Sequence, residues 1–198
     1  VNKVGLVIET LDNGLTYEGE EKDGEWNGLG TLKSPDGFCY EGQFKRGKFN
    51  GNGSLKLPDN GKYEGQFKDD DFHGKGILIS PDEDYYEGDF KLGKQHGKGI
   101  YKWSDGRVYE GQFKNGLQHG KGKYSMDDGR YFEGEFIKGK HTNKGKYYWK
   151  DGTEYIENPE EYKETVELTD KEKIKMLKEI TSIENDSEEQ WICDMCEE

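Results

Sequence analysis

Aliphatic side chains are scarce in this chain. Leu, Ile, Val and Phe together supply only 36 of 198 residues, which is below the ~20% that marks disordered sequences when net charge is high, and the formal charge is −13. Alanine is absent, and there are only 4 prolines. A chain without alanine is poorly suited to packed helices. No run approaches the ~18–20 apolar residues of a membrane span, and Val1 to Thr10 lack the charged-then-apolar order of a signal peptide, so the chain reads as soluble. The 3 cysteines, Cys39, Cys193 and Cys196, are too few and too unevenly placed for a disulfide framework, which points to a reducing compartment such as the cytoplasm. The start at Val1 rather than Met reads as that of a fragment or a processed chain. What is plentiful is glycine, with 29 residues, and aromatics, with 13 Tyr, 9 Phe and 4 Trp. Disordered segments are poor in aromatics, so this combination argues for strands and tight turns.

Tyr-Glu-Gly recurs at Tyr17, Tyr40, Tyr63, Tyr86 and Tyr109, and as Phe-Glu-Gly at Phe132, always 23 residues apart. An aromatic follows four residues later at Phe44, Phe67, Phe90, Phe113 and Phe136, with Glu21 in the first repeat, and a Gly-x-Gly follows at Gly28/Gly30, Gly51/Gly53, Gly74/Gly76, Gly97/Gly99 and Gly120/Gly122. The sixth repeat has Asn143 in place of the first glycine, a seventh begins at Tyr155 and breaks at Ile156, and residues 4–16 fit the second half of an earlier unit. Tyr109 to Phe113 alternates with period two and reads as a strand, Lys114 to His119 supplies turn chemistry, and Gly120 to Tyr124 alternates again as a second strand. Asp-Gly turns at Asp36, Asp105, Asp128 and Asp151 then connect to the next unit. Each unit is therefore read as a β-hairpin, with consecutive hairpins adding edge to edge. In this reading both glycines of Gly-x-Gly face the Tyr and Phe rings, which lie on bare backbone. On the opposite face Glu18, Glu41, Glu64, Glu87, Glu110 and Glu133 pair across strands with Lys75, Lys98, Lys121 and Lys144.

These residues, Tyr109 to Gly122 with the preceding Asp105-Gly106 above all, resemble the MORN (membrane occupation and recognition nexus) repeat family over about residues 5–156. The expected fold is all-β: an elongated, twisted, single-layer antiparallel sheet of consecutive 23-residue hairpins, with a short C-terminal α-helix. The resemblance implies a scaffold or adaptor that links proteins to one another, to the cytoskeleton or to membranes, in settings such as cilia, flagella and the cell cortex, with homodimers formed through terminal repeats in some members.

Residues 1–156 are read as the array. Residues 157–198 hold 15 acidic and 5 basic residues and so carry most of the net charge. Thr169 to Glu172 forms a capping box before Ile174, Leu177, Ile180 and Ile183. Residues 157–184 are thus a linker and an amphipathic helix, which either caps the array or binds a partner or second copy; 185–198 is an acidic, flexible tail. No catalytic constellation, cofactor or metal site stands out. His73, His96 and His119 recur one per repeat at turn positions about 10 Å apart, too far to share a metal, and Cys193-Asp-Met-Cys196 is a lone pair. The negative charge disfavours nucleic acid. The candidate binding surface is an exposed aromatic row, centred on Tyr63, Phe67, Tyr86, Phe90, Tyr101, Trp103, Tyr109, Phe113 and Tyr124, on which a partner's extended peptide or helix could lie. The alternatives are a phospholipid-binding membrane module, supported only by the recurrent lysines, and the targeting region of a larger enzyme. The expected location is cytoplasmic, on the cytoskeleton or a cilium.

Overall fold

The computed structural model describes residues 4–155. The expected C-terminal helix, the acidic tail and the Cys193/Cys196 pair lie outside the described residues. The described chain is one open antiparallel sheet in which every strand pairs with its sequence neighbours. The strands are β1 Val4–Thr10, β2 Thr16–Lys22, β3 Glu25–Lys33, β4 Cys39–Lys45, β5 Lys48–Lys56, β6 Lys62–Lys68, β7 Asp71–Ile79, β8 Tyr85–Lys91, β9 Lys94–Lys102, β10 Val108–Lys114, β11 Leu117–Ser125, β12 Tyr131–Ile137, β13 Lys140–Tyr148 and β14 Glu154–Tyr155. Each 23-residue repeat from Tyr17 supplies a seven-residue and a nine-residue strand.

Two turn types alternate. Within a repeat, the reversal takes two residues: Asp23-Gly24, Arg46-Gly47, Asp69-Asp70, Leu92-Gly93, Asn115-Gly116 or Lys138-Gly139. The first residue of each pair has φ between 49° and 58°, the second between 74° and 86°. Positive φ at both positions gives a turn whose twist matches the flanking strands. The turn is thus shorter than the sequence suggests. Leu117, Gln118 and His119 belong to β11, and His73 and His96 lie on β7 and β9. The second turn residue also bonds to the preceding repeat, as where the Gly116 N–H donates to the Gln95 carbonyl at 2.9 Å. Between repeats the chain turns through three residues. The Trp103 N–H donates to the Arg107 carbonyl at 3.0 Å, Gly106 takes φ 96°, and Asp105 Oδ1 accepts the Arg107 N–H at 3.1 Å. This is the type I turn with a left-handed third residue that Asp-Gly specifies.

The register aligns glycines. Gly42 opposes Gly30 on one side and Gly53 on the other, and equivalent pairs continue to Gly134 and Gly145. Over each intra-repeat pair lies one ring: a Cβ on Gly53 would come within 2.6 Å of Tyr40 Cε2. Tyr17, Tyr40, Tyr63, Tyr86, Tyr109 and Phe132 are in consequence the fully buried large side chains. Each sits edge-on to neighbouring phenylalanines; Tyr40 lies 5.1 Å from both Phe44 and Phe67, and the pattern runs unbroken from Tyr17 to Phe136. Such pairs contribute about 0.5–1.5 kcal/mol each beyond burial. Interlocking rings on glycine thus replace an aliphatic core.

The first glycine of Gly-x-Gly has a different task from the one expected. Gly51, Gly74, Gly97 and Gly120 take φ between 59° and 86° where the register slips between the strands of a hairpin. They face away from the rings, against the side chain three residues after the tyrosine. Gln112 Oε1 accepts the Lys121 N–H at 3.1 Å, and Gln43, Gln66 and Asp89 do the same in their repeats. The tyrosine satisfies the other group that the slip frees: Tyr109 Oη donates to the Gln112 carbonyl at 2.9 Å. Tyr109→Phe should therefore destabilise the array by about 1–2 kcal/mol, the cost of an unsatisfied buried carbonyl. Tyr85→Phe removes only a side-chain bond to Glu87 and should cost less than about 0.5 kcal/mol in the same urea titration. Equal losses would show that the hydroxyl has no part in closing the bulge.

Packing also divides the array in a way the repeat motif hides. In the first three repeats Trp26, Phe49 and Phe72 stack flat on Tyr17, Tyr40 and Tyr63 at 4.2, 3.7 and 3.9 Å, and Leu32, Leu55 and Leu78 sit cross-strand from those tyrosines. From the fourth repeat on, Gln95, Gln118 and His141 hold the stacking position and Tyr101, Tyr124 and Tyr147 the leucine position. Aromatic bulk has moved from one side of the central ring to the other.

Candidate functional site

The ring face is packed more closely than the sequence suggests. Tyr63, Phe67, Tyr86, Phe90, Tyr109 and Phe113 are all 5% exposed or less, so the expectation that they keep an accessible side is corrected. A single layer hides them because each ring covers its neighbour's edge and its own glycine pair, leaving backbone below and rings around. Tyr101, Trp103 and Tyr124 are half-buried and contiguous, with Trp103 4.6 Å from Tyr101 and 5.6 Å from Tyr124. Polar contacts hold all three. Tyr101 Oη donates to buried Asp84 at 2.7 Å, and Asp84 also accepts the Ser104 N–H at 2.8 Å. Burial, reinforced by that bond to Asp84, pushes the Tyr101 hydroxyl pKa well up. The Arg107 guanidinium lies 5.2 Å over Trp103 and donates to Tyr124 Oη at 3.2 Å.

The opposite face carries a trough of about 1640 Å³ spanning β6 to β13. Its charged lining is ordered by register. One row runs Glu64, Ile77, Glu87, Ile100, Glu110, Lys123, Glu133, each opposite the next. A second row, two residues along each strand and so about 7 Å away, carries Lys75 opposite Asp89, Lys98 opposite Gln112, and Lys121 opposite Glu135. Lys144 continues it, and glycine backbone forms the floor between the rows.

The expected Glu–Lys ladder is thus not the one formed. The glutamates stand opposite Thr31, Ser54, Ile77, Ile100, Lys123 and Lys146, while Lys75 pairs with Asp89 at 2.7 Å and Lys144 with Glu135 at 3.4 Å. The glycine register causes this: with Gly76 opposite Gly88, Gly99 opposite Gly111 and Gly122 opposite Gly134 in unbroken ladders between repeats, each Gly-Lys-Gly lysine stands against the residue after the next Tyr-Glu-Gly or Phe-Glu-Gly rather than against its glutamate. Lys75 draws the Asp89 carboxyl below its ordinary pKa, against the upward push of burial, the largest influence. Lys98, Lys121, Glu64, Glu110 and Glu133 make no ion pair among the described residues.

Other candidates stay apart. No group of three or more His, Cys, Asp or Glu is placed to hold a metal ion among the described residues. Cys39 is a half-buried free thiol on β4. Among the described residues no helix is long and apolar enough to cross a membrane.

No curated protein matches the chain. Among solved structures, it is similar to the TCP domain of SAS-4 (dCPAP) of Drosophila melanogaster, in complex with a Proline Rich Motif of Ana2 (dSTIL). The identity is 12% and the TM-score 0.43, over 76% of this chain and 88% of that one; so distant a likeness carries no functional argument. The MORN repeat signature matches residues 17–38, 40–62, 63–85, 86–106, 109–129 and 132–154, each match but the first beginning within the same register as Tyr17. With six matched repeats, paired hairpins and rings seated on glycine, the chain belongs to the MORN repeat family.

Proposed function

We propose that this chain is a non-catalytic scaffold that binds a protein partner through the trough rather than along the ring row. MORN repeats are in general non-catalytic modules. The observation that carries the reading is the trough itself, about 1640 Å³ lined over four repeats by both signs of charge, several of them without an ion pair, while the central rings opposite are buried. Unpaired exposed charges cost the fold little and are available to steer and orient a complementary chain. A cytoskeletal, ciliary or cortical setting belongs to the same proposal and rests on the family resemblance. The lysines stand among glutamates on one face, which favours a zwitterionic protein segment over an anionic lipid surface.

The test compares partner capture by three forms of the protein. Lys98→Glu/Lys121→Glu reverses the two unpaired lysines of the second row and should reduce capture about tenfold while circular dichroism is unchanged. Trp103→Ala opens the half-buried ring patch and should leave capture intact. The reverse pattern would return the binding site to Tyr101, Trp103 and Tyr124 and overturn the trough reading.

A further inference from the structure

The trough has a period, and the period constrains what can lie in it. Each repeat contributes two strands about 4.8 Å apart, so equivalent side chains recur about every 9.6 Å across the sheet. Glu64, Glu87, Glu110 and Glu133 recur with this spacing on one side, and Lys75, Lys98, Lys121 and Lys144 on the other. A ligand that engages successive repeats in the same way must present the same face at that interval. A β-strand shows one face about every 6.7 Å, and the residue three positions on, at about 10 Å, points the opposite way. An α-helix advances about 1.5 Å and 100° per residue, so the six or seven residues that come nearest either rotate off the face or overshoot the interval. A polyproline II helix completes one turn in three residues at about 3.1 Å each, or about 9.3 Å, and returns the same face every third residue.

Hydrogen bonding leads to the same occupant. The floor is the face of a sheet whose N–H and C=O groups are already paired in ladders from β6 to β13. A segment laid across that face gains no ladder bonds, and its own N–H groups lose water on the covered side. Polyproline II makes no internal backbone bonds, and proline has no N–H to strand.

We infer that the trough takes a polyproline II segment running across the strands, one turn per repeat, with a triplet grammar: a proline or small residue on the glycine floor, a basic residue toward the glutamate row and an acidic residue toward the lysine row. The three faces of such a helix, about 120° apart, match the floor and the two flanking rows. The span from β6 to β13 is seven strand spacings, about 34 Å, which takes about four triplets. Chain direction decides whether the triplet reads Pro-Lys-Glu or Pro-Glu-Lys. This inference rests on the trough being the binding face.

The experiment titrates the intact chain at low salt with fluorescent peptides of about four triplets: one built of Pro-Lys-Glu, one of Pro-Glu-Lys, one with the same residues in three homogeneous blocks, and a helical Glu/Lys peptide with charges in heptad phase. At least one triplet peptide should bind about tenfold more tightly than the block peptide, and Lys98→Glu/Lys121→Glu should abolish the difference. On that variant a Pro-Lys-Lys peptide should bind better than Pro-Lys-Glu, since the reversed row then attracts basic side chains. Equal affinity of triplet and block peptides would reduce the contact to unphased charge attraction and overturn the inference. Tighter binding of the helical peptide, lost in the double variant, would overturn it while leaving the trough reading intact. Failure of every peptide would also overturn it, and the partner-capture comparison above would still judge the trough.

Discussion

Gly99→Val should destabilise the fourth repeat by at least about 4 kcal/mol, well beyond the range of ordinary substitutions. A Cβ at this glycine would stand 2.6 Å from both Cε2 and Oη of Tyr86 and 2.7 Å from Cζ. The obstacle is the hydroxyl end of a ring held on every side. Below it is backbone, and its edges meet Phe90 and Phe113 at 5.0 Å each. Its hydroxyl closes the bulge by donating to the Asp89 carbonyl at 2.9 Å. Valine therefore expels the ring and with it all three contacts. Because each repeat touches only its neighbours, stability is approximately a sum of local and nearest-neighbour contributions. The damage should stay local: hydrogen exchange should lose protection in β8 and β9 first, while β2 to β5 keep theirs. Gly5→Ala is the control. Nothing lies within 4 Å of a Cβ there, and it should change stability by no more than about 0.5 kcal/mol. Equal effects of the two substitutions would show that the rings do not depend on bare backbone.

Raising the pH should unfold the array cooperatively above about pH 10. Burial pushes the hydroxyls of Tyr17, Tyr40 and Tyr109 up to about 12, and those of Tyr63 and Tyr86 further in the same direction. The sign follows from the raised folded value. Below the unfolded pKa of about 10 both states are protonated and the full stability is present. Between that value and the folded one only the unfolded chain releases protons, so stability is lost as pH rises, by up to about 1.4 kcal/mol per pH unit for each such tyrosine. Several tyrosines acting together make the transition steep. Tyrosinate absorbance of the buried set should rise together with the loss of the far-ultraviolet β signal, and Tyr40→Phe/Tyr109→Phe should flatten the transition. Gradual titration of these tyrosines with the sheet intact would contradict the buried, neutral state that the packing requires.

Much of this fold is legible in one sequence because the unit is short and its determinants are local. Tyr40, Gly42 and Phe44 lie on one strand within five residues, and a period of two fixes their common face. Asp36-Gly37 names its own turn. The bulge was less legible. Gly51 and Gly53 look equivalent in a period-two pattern, yet only Gly53 lies under Tyr40. Gly51, at φ 86°, belongs to a register slip that depends on Gln43 across the hairpin. The pairing of one repeat with the next decided the ion pairs. Lys75 meets Asp89 rather than a Tyr-Glu-Gly glutamate, and no count along a single strand reveals that partner. The exchange of Phe72 and Leu78 for Gln95 and Tyr101 was visible in the residues but acquires meaning only once Tyr63 and Tyr86 are seen between the two positions.

The sequence by itself determined the repeat, its two strands, the side of the sheet on which the rings lie and the family, since all of these follow from side-chain alternation and turn chemistry within 23 residues. Tertiary structure decided which surface remains open. Whether a ring is exposed depends on how far its neighbours in the next repeat lean over it. In this array Phe67 and Phe44 close over Tyr40, leaving 0% of it exposed. The charged residues opposite, which read as cross-strand Glu–Lys pairs, instead line the trough, because the register between repeats sets the lysines against other residues and leaves several charges without an ion pair.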